Sequence, residues 1–343
     1  MANFLKKKNV SLSLKIYFID ALSAMALGLF STLIIGLIVR TLGDQSSIWF
    51  GTNIISSHLS TLGQTAMGLM GAGIGVAVAH RLQALPLVLF SSAVTGMMGA
   101  TLGGPAGSFA AALIATEFGK LVSKETQLDI LVTPFITLLV GSLVALSISP
   151  LIAQLMTSLG AIIIEATTYQ PFFMGMIVSM IMGFVLTAPI SSAALGIMLN
   201  LSGLAAGAAT VGCAAHMIGF AIMGLKDNKP SSFISVGLGT SMLHISNIVK
   251  NPWILVPPIL TSIILGPLST LVFSMSNIAA GSGMGTSGLV GQITTLNTMG
   301  WSQDVLLSVG LLHFILPAVL TFVFYKFLVI KGKIKPLDLK LDV

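Results

Sequence analysis

The chain has 343 residues, of which 55% are hydrophobic and only 8% are charged, and its formal net charge is +6. A soluble domain carries roughly 25% charged residues, so these charges are too few to cover a globule of this size in water. The composition therefore excludes a soluble globular protein, and the long apolar runs predict an all-α polytopic membrane protein.

Apolar runs long enough to cross a bilayer follow one another along most of the chain. A spanning helix needs roughly 20 apolar residues, and the runs predict about ten spans, some broken or joined by re-entrant hairpins. The run at 186–202 is short and interrupted, so eight spans with additional hairpins is the alternative count. Residues 150–169 are amphipathic and predict an interfacial or cavity-facing helix. The predicted spans are about 18–40, 52–79, 84–102, 107–122, 129–149, 171–187, 190–202, 203–225, 253–275 and 304–328.

Lysine residues are concentrated next to the first and last spans. Lysine-rich flanks stay on the cytoplasmic side of a membrane, so both termini are predicted to be cytoplasmic, in agreement with an even number of spans. Binding of nucleic acid by a basic tail is the alternative, and the neighbouring spans argue against it. The lysines are Lys6, Lys7, Lys8 and Lys15 before the first span, and Lys326, Lys331, Lys333, Lys335 and Lys340 at the end of the chain.

Four glycine- or proline-rich breaks interrupt the apolar runs, at 99–108, 187–192, 236–252 and 279–292. Peptide groups that leave regular helix inside a bilayer must be buried in protein or line a cavity, and in transporters such breaks surround the solute. Glycines at small-residue spacing can instead serve close helix packing. Packing is the favoured interpretation for Gly71, Gly73, Gly75, Gly96 and Gly99.

The third and fourth breaks are predicted to face a solute, because they combine backbone freedom with hydroxyl, amide and imidazole groups. Neutral hydrogen-bonding groups suit a solute with many hydroxyls better than fixed charges do. We predict a binding site made of side chains from the third break and of backbone and hydroxyl groups from the fourth. Its residues are Thr240, Ser241, His244 and Asn247, together with Gly283, Gly285, Thr286 and Ser287.

Two carboxylates fall within apolar runs, where an ionisable group is costly and is a functional candidate by default. Glu117 lies three residues before Lys120, so an i,i+3 ion pair and a role in ion coupling are both open. Glu165 has no basic residue nearby in the sequence. Either a solvated helix face or contact with the solute would explain it, and we include it in the predicted site. No spacing of His, Cys or carboxylates predicts a metal site, a cofactor or a catalytic residue.

Four segments resemble the membrane component, IIC, of phosphoenolpyruvate-dependent sugar phosphotransferase systems, and the resemblance spans most of the chain. It is closest for the single-domain PfoR-like branch, whose members are named as regulators of toxin or perfringolysin O. The last two segments are specific to that branch, whereas the first two resemble fructose-type IIC domains more loosely. The segments are ILVTPFITLLVGSLVALSISPLIAQL (130–155), PFFMGMIVSMIMGFVLTAPISSAALGI (171–197), GLGTSMLHISNIVKNPWILVPPILTSIILGPLSTLVF (237–273) and GSGMGTSGLVGQ (281–292).

The resemblance implies a dimeric protein of the bacterial plasma membrane that binds a sugar, while separate IIA and IIB proteins supply the phosphoryl group. TAPISS at 187–192 stands where fructose-type proteins have a Gly-Gly-Pro motif, and the sugar-binding His and Glu of other IIC groups have no match here. The single cysteine, Cys213, is intramembrane, and no soluble domain is expected. The chain would thus be at most the membrane subunit of a phosphotransferase system, not a self-sufficient enzyme.

The sequence thus predicts one membrane domain with two halves. Residues 16–169 would form a scaffold and dimerisation half, and 170–330 a solute-binding half with re-entrant segments at 231–252 and 279–300. The predicted function is translocation of a small polar solute, by resemblance a sugar. A membrane-embedded regulator or sensor without net transport is the alternative, and an ion-coupled carrier that uses a buried glutamate is a third possibility. The sequence identifies neither the solute nor the coupling energy.

Overall fold

The computed structural model of the protein describes residues 2–10, 13–167, 169–190 and 192–341. Within these ranges the chain forms helices and turns, and its one strand-like pairing is an isolated bridge between Gly203 and Asn277. The predicted all-α polytopic class is confirmed.

The N-terminal unit, Met1–Leu155, consists of helices joined by short turns. Its long helices coincide with apolar runs that contain few charged residues, as expected of segments that cross a bilayer. The helices are α1 Ala2–Lys7, α2 Ile16–Phe50, α3 Ile54–Gly68, α4 Met70–Arg81, α5 Pro86–Val122 and α6 Asp129–Ala166, the last of which continues into the second unit.

Helix α5 turns back on itself at Gly103 and Gly104, whose backbone angles (φ −147°, ψ 18° and φ 61°, ψ −153°) are not helical. The hydroxyl oxygens of Ser92 and Thr116 lie 3.0 Å apart, although the two residues are 24 positions apart in the sequence. In a straight helix such residues would be about 36 Å apart. The two arms of α5 are therefore antiparallel, and the predicted break at 99–108 is confirmed.

Close backbone contacts join α4 to the first arm of α5. A Cβ atom added at Gly75 would lie 2.0 Å from the Ser92 carbonyl oxygen, and one added at Gly96 would lie 2.2 Å from the Gly71 carbonyl oxygen. Any larger side chain would therefore push the two helices apart. The packing interpretation of these glycines is confirmed, and it agrees with the use of small residues between membrane helices.

Helix α6 continues from Asp129 to Ala166 although Pro134 and Pro150 lie inside it. The sequence predicted a span that ends at residue 149 and a separate amphipathic helix after it, and that boundary is wrong. A proline removes one backbone hydrogen bond, but it does not end a membrane helix when neighbouring groups satisfy the freed carbonyl.

The C-terminal unit, Met156–Val343, is arranged around one small-residue helix. This unit contains α7 Pro171–Thr187, α8 Ser192–Met198, α9 Gly203–Lys226, α10 Pro230–Gly239, α11 Ser241–Lys250, α12 Pro252–Val272, α13 Ala279–Ser282, α14 Val290–Met299 and α15 Gln303–Ile330. The most apolar stretch of α9 is 89% buried, compared with 56% for α12 and 28% for α15. Its glycines allow this burial, because a Cβ atom at Gly212 would lie 2.0 Å from the Ser179 carbonyl oxygen of α7. Helix α9 is therefore the centre of the unit.

The described residues contain six helices long and apolar enough to cross a membrane, or up to eight if the bent pairs α3–α4 and α10–α11 each count as one span. The six are α2, α5, α6, α9, α12 and α15. This count includes α5 once, although its arms double back, and it leaves out the shorter α7 and α8. The predicted ten consist of the six helices together with α3–α4, the second arm of α5, α7 and α8, and they leave out α10–α11, which was predicted as a re-entrant segment. The alternative of eight spans with hairpins equals the upper count in number only.

Candidate functional site

The two breaks predicted to face the solute contact each other inside the C-terminal unit. The Thr286 hydroxyl donates a hydrogen bond to the Gly237 carbonyl oxygen. Helices α10 and α11 meet at Thr240 with a bend of 119°. Thr240 is extended there (φ −160°, ψ 140°), and its hydroxyl accepts a hydrogen bond of 3.2 Å from the Met242 N–H. The bend brings both breaks into one region of the fold.

Eight of the nine predicted site residues are buried, and Glu165 is the exception. The exposed fraction is 0% for Ser241, 1% for His244 and 5% for Asn247. Glu165 is exposed near the end of α6. A solute can therefore reach the other eight residues only after the surrounding helices have moved.

A chain of hydroxyl and imidazole groups links three elements of the unit. The Thr187 hydroxyl at the end of α7 lies 2.8 Å from Nδ1 of His216 in α9 and 2.9 Å from the Ser241 hydroxyl of α11. In either tautomer of His216, the ring nitrogen Nε2 has no hydrogen-bond partner within the described part of the chain. We call Thr187, His216, Ser241 and the neighbouring His244 the buried polar cluster.

His244 is the least satisfied member of the buried polar cluster. Neither of its ring nitrogens has a hydrogen-bond partner among the residues that the structure describes. Its ring stacks on Phe220, with ring centroids 5.2 Å apart and planes 20° apart, and Phe220 also lies 6.4 Å from the His216 ring. A neutral imidazole offers one donor and one acceptor. His244 can therefore bind one hydroxyl as donor and another as acceptor.

The 281–288 segment packs through its backbone against its neighbours. The Ser192 hydroxyl donates to the Gly283 carbonyl oxygen at 2.7 Å. Gly285 has φ +52°, and a Cβ atom there would lie 2.7 Å from the Cys213 carbonyl carbon in α9. Ser287 is 2% exposed, and its hydroxyl has no hydrogen-bond partner in the described ranges. The segment therefore places one unsatisfied hydroxyl in the interior.

The Asn247 side chain is hydrogen-bonded to the segment that follows α15. Its side-chain amide donates to the Lys340 carbonyl oxygen at 2.9 Å. Asn228 also holds this segment, because its side chain donates to the Leu339 carbonyl oxygen and accepts from the Leu341 N–H, both at 2.7 Å. Asn247 therefore contributes to the site only if it exchanges this backbone partner for the solute.

Two members of the cluster, Thr187 and His216, were not assigned to the site from the sequence. The signals available were a threonine at the start of the 187–192 break, two residues before Pro189, and a histidine inside an apolar helix, and each is also common in packing. A second buried pair shares their character, since Gln292 Nε2 lies 3.0 Å from His313 Nδ1. Gln292 Oε1 and His313 Nε2 have no hydrogen-bond partner among the described residues.

The side chains of the cluster are neutral hydrogen-bonding groups. Thr187, His216, Ser241 and His244 include no carboxylate, so they do not provide the pair of acids that glycoside chemistry requires. Among the residues that the structure describes, no group of three or more His, Cys, Asp or Glu side chains could hold a metal ion. The arrangement suits a neutral polyhydroxyl compound.

Comparisons with known proteins identify the family. Searches of curated proteins and of solved structures find no match to the chain. The family described as "Phosphotransferase system, EIIC" matches residues 19–341, which is nearly the whole chain. These residues include both breaks and all members of the buried polar cluster. The chain therefore belongs to the EIIC family, the membrane sugar-transport components of the phosphotransferase system.

Proposed function

We propose that the protein binds a sugar at the buried polar cluster and translocates it across the bacterial plasma membrane, where separate IIA and IIB proteins phosphorylate it. The observation that carries this proposal is His244. Its imidazole is buried, and neither ring nitrogen forms a hydrogen bond with the described residues. A buried polar group without a partner costs about 1–3 kcal/mol. The hydroxyls of a sugar would supply the missing partners and recover that cost.

The burial of the site supports translocation. A solute held by residues that are 0–5% exposed can enter only when the surrounding helices rearrange, and openings toward each side of the membrane in turn would carry it across. The 281–288 backbone, the Ser287 hydroxyl and Asn247 would complete the site once the helices move. Glu165 remains a predicted contact, and it would need to approach the cluster from its exposed position.

His244→Ala is expected to weaken sugar binding roughly 10-fold to 100-fold, because two hydrogen bonds to the solute are lost. The measurement is calorimetric titration of the purified protein with a panel of sugars. Thr187→Val should also weaken binding, since it removes the partner of both His216 and Ser241. His58→Ala is the matched control, because His58 is exposed on α3.

Unchanged sugar affinity in both His244→Ala and Thr187→Val would remove the buried polar cluster as the binding site. Uptake into proteoliposomes that contain the partner IIA and IIB proteins tests transport separately. Binding without uptake would favour the alternative function, a membrane-embedded regulator of the PfoR-like kind.

We also propose cytoplasmic termini and a homodimer. The lysines that follow α15 support the orientation, since such residues stay on the cytoplasmic side. The native Cys213 is buried, so a cysteine introduced at the exposed Lys335 should react with a membrane-impermeant thiol reagent in inside-out vesicles only. Labelling in intact cells would contradict the orientation, and a monomer mass in mild detergent would contradict the dimer.

A further inference from the structure

Two polar cavities adjoin each other at one end of the N-terminal unit. One has a volume of about 290 Å³, the other about 390 Å³, and Asn9, Gln83 and Lys120 line both. The ends of α4 and α5 and the residues after α1 form their walls. These helix ends lie on the side predicted to be cytoplasmic.

The two cavities carry an excess of positive charge. Five cationic side chains and three carboxylates line them: Lys7, Lys8, Arg81, Lys120 and Lys124 against Asp20, Glu117 and Glu125. Each carboxylate already pairs with a cation. Arg81 contacts Asp20 at 3.0 Å, Lys120 contacts Glu117 at 3.1 Å, and Lys8 contacts Glu125 at 2.5 Å.

Two lysines remain available after this pairing. The three ammonium protons of Lys120 are used by Glu117 and by the carbonyl oxygens of Asn9 and Leu82, at 2.7 and 3.0 Å respectively. The hydrogen bond from Lys8 lowers the pKa of the Glu125 carboxyl. The carboxylate is therefore ionised, and its charge balances that of Lys8. By contrast, the side-chain nitrogens of Lys7 and Lys124 form no hydrogen bond or ion pair with the described residues, although Lys7 interacts electrostatically with Glu125 and Lys124 with Asp129. Their N–H donors are available to an anion.

An apolar groove between α2 and α4 reaches the same place. The groove has a volume of about 830 Å³, and its walls are mainly small and aliphatic residues such as Gly28, Ala72 and Val76. It includes His80 and Arg81 at the end of α4, and Arg81 also lines the smaller cavity. The apolar groove therefore adjoins the 290 Å³ cavity at Arg81, and that cavity in turn adjoins the 390 Å³ cavity, where the surplus positive charge lies.

We propose that the N-terminal unit binds an anionic phospholipid, with one acyl chain in the α2–α4 groove and the phosphate between Lys7 and Lys124. Basic pockets at the cytoplasmic ends of membrane helices bind anionic headgroups. The groove favours a lipid over a soluble phosphate compound, because a soluble compound would leave the apolar part of the site unused.

The test measures lipid retention on the purified full-length protein by native mass spectrometry. Phosphatidylglycerol should be retained more strongly than phosphatidylcholine with the same chains, and inorganic phosphate should not displace it. A basic side chain near an anionic lipid changes affinity about fivefold, so the Lys7→Gln/Lys124→Gln double variant should bind phosphatidylglycerol about 30-fold more weakly. Lys229→Gln, at an exposed lysine of the C-terminal unit, should bind normally.

A second variant tests the groove without changing any charge. Val76→Trp fills the channel and should reduce retention of phosphatidylglycerol at least tenfold. The proposal is overturned if the two lipids bind equally, or if the double lysine variant behaves like Lys229→Gln. Displacement of the lipid by inorganic phosphate would show that a soluble phosphate compound is the ligand instead.

Discussion

Lys120→Met is expected to destabilise the protein by about 3–5 kcal/mol, the usual cost of removing one partner of a buried ion pair. Lys120 is 4% exposed and Glu117 is 9% exposed. Without the ammonium group, the Glu117 carboxylate stays buried with no countercharge, and the carbonyl oxygens of Asn9 and Leu82 lose their donor. The free energy of unfolding can be measured by reversible denaturation in mixed detergent micelles.

The double variant Lys120→Met/Glu117→Met separates the ion pair from packing. Replacement of both partners by apolar side chains of similar size leaves no unpaired charge, so most of the lost stability should return. If the double variant is as unstable as Lys120→Met, the cost lies in packing or in the two carbonyl oxygens. The i,i+3 ion pair, one of the two interpretations that the sequence left open for Glu117, is present with a contact of 3.1 Å.

Gly285→Ala is expected to destabilise the protein by about 3 kcal/mol and to weaken sugar binding. A left-handed conformation costs an alanine roughly 1–2 kcal/mol, and Gly285 has φ +52°. The added Cβ atom would also lie 2.7 Å from the Cys213 carbonyl carbon, and overpacking of this kind costs about 1–3 kcal/mol. The same unfolding and titration experiments measure both effects.

Gly332→Ala is the control for this change. Gly332 has φ +68°, and no atom lies within 4 Å of the Cβ position. It therefore carries the conformational cost without the steric overlap. Equal destabilisation by Gly285→Ala and Gly332→Ala would mean that the contact with α9 contributes nothing.

Helix breaks could be predicted where the residues at the break themselves set the backbone conformation. The turn at Gly103–Gly104 followed from a glycine pair inside an apolar run, and the structure places the hairpin turn there. Pro150, by contrast, did not end α6. Whether a proline ends a helix depends on the groups that surround the freed carbonyl, and a linear sequence does not contain that information.

The candidate site was predictable only in part, for the same reason. Composition alone identified the two breaks, which do contact each other through Thr286 and Gly237. The link between Thr187 and Ser241 joins residues 54 positions apart, and the Asn247 bond to Lys340 spans 93 positions. Such partners follow from how helices are arranged in space, so they appear only once the fold is known.

The hydrogen bonds that hold residues 339–341 predict which positions relatives should conserve. Asn228 and Asn247 contact peptide groups, which every amino acid possesses, and not the side chains that distinguish one amino acid from another. The Lys340 side chain is exposed and can therefore vary among relatives, but not to proline, because its N–H donates to the Leu337 carbonyl oxygen at 3.1 Å. Positions 339 and 341 can change among apolar residues but exclude proline, because their N–H groups are in use. Relatives should conserve the two asparagines, while the amino-acid sequence of the segment that they bind should vary.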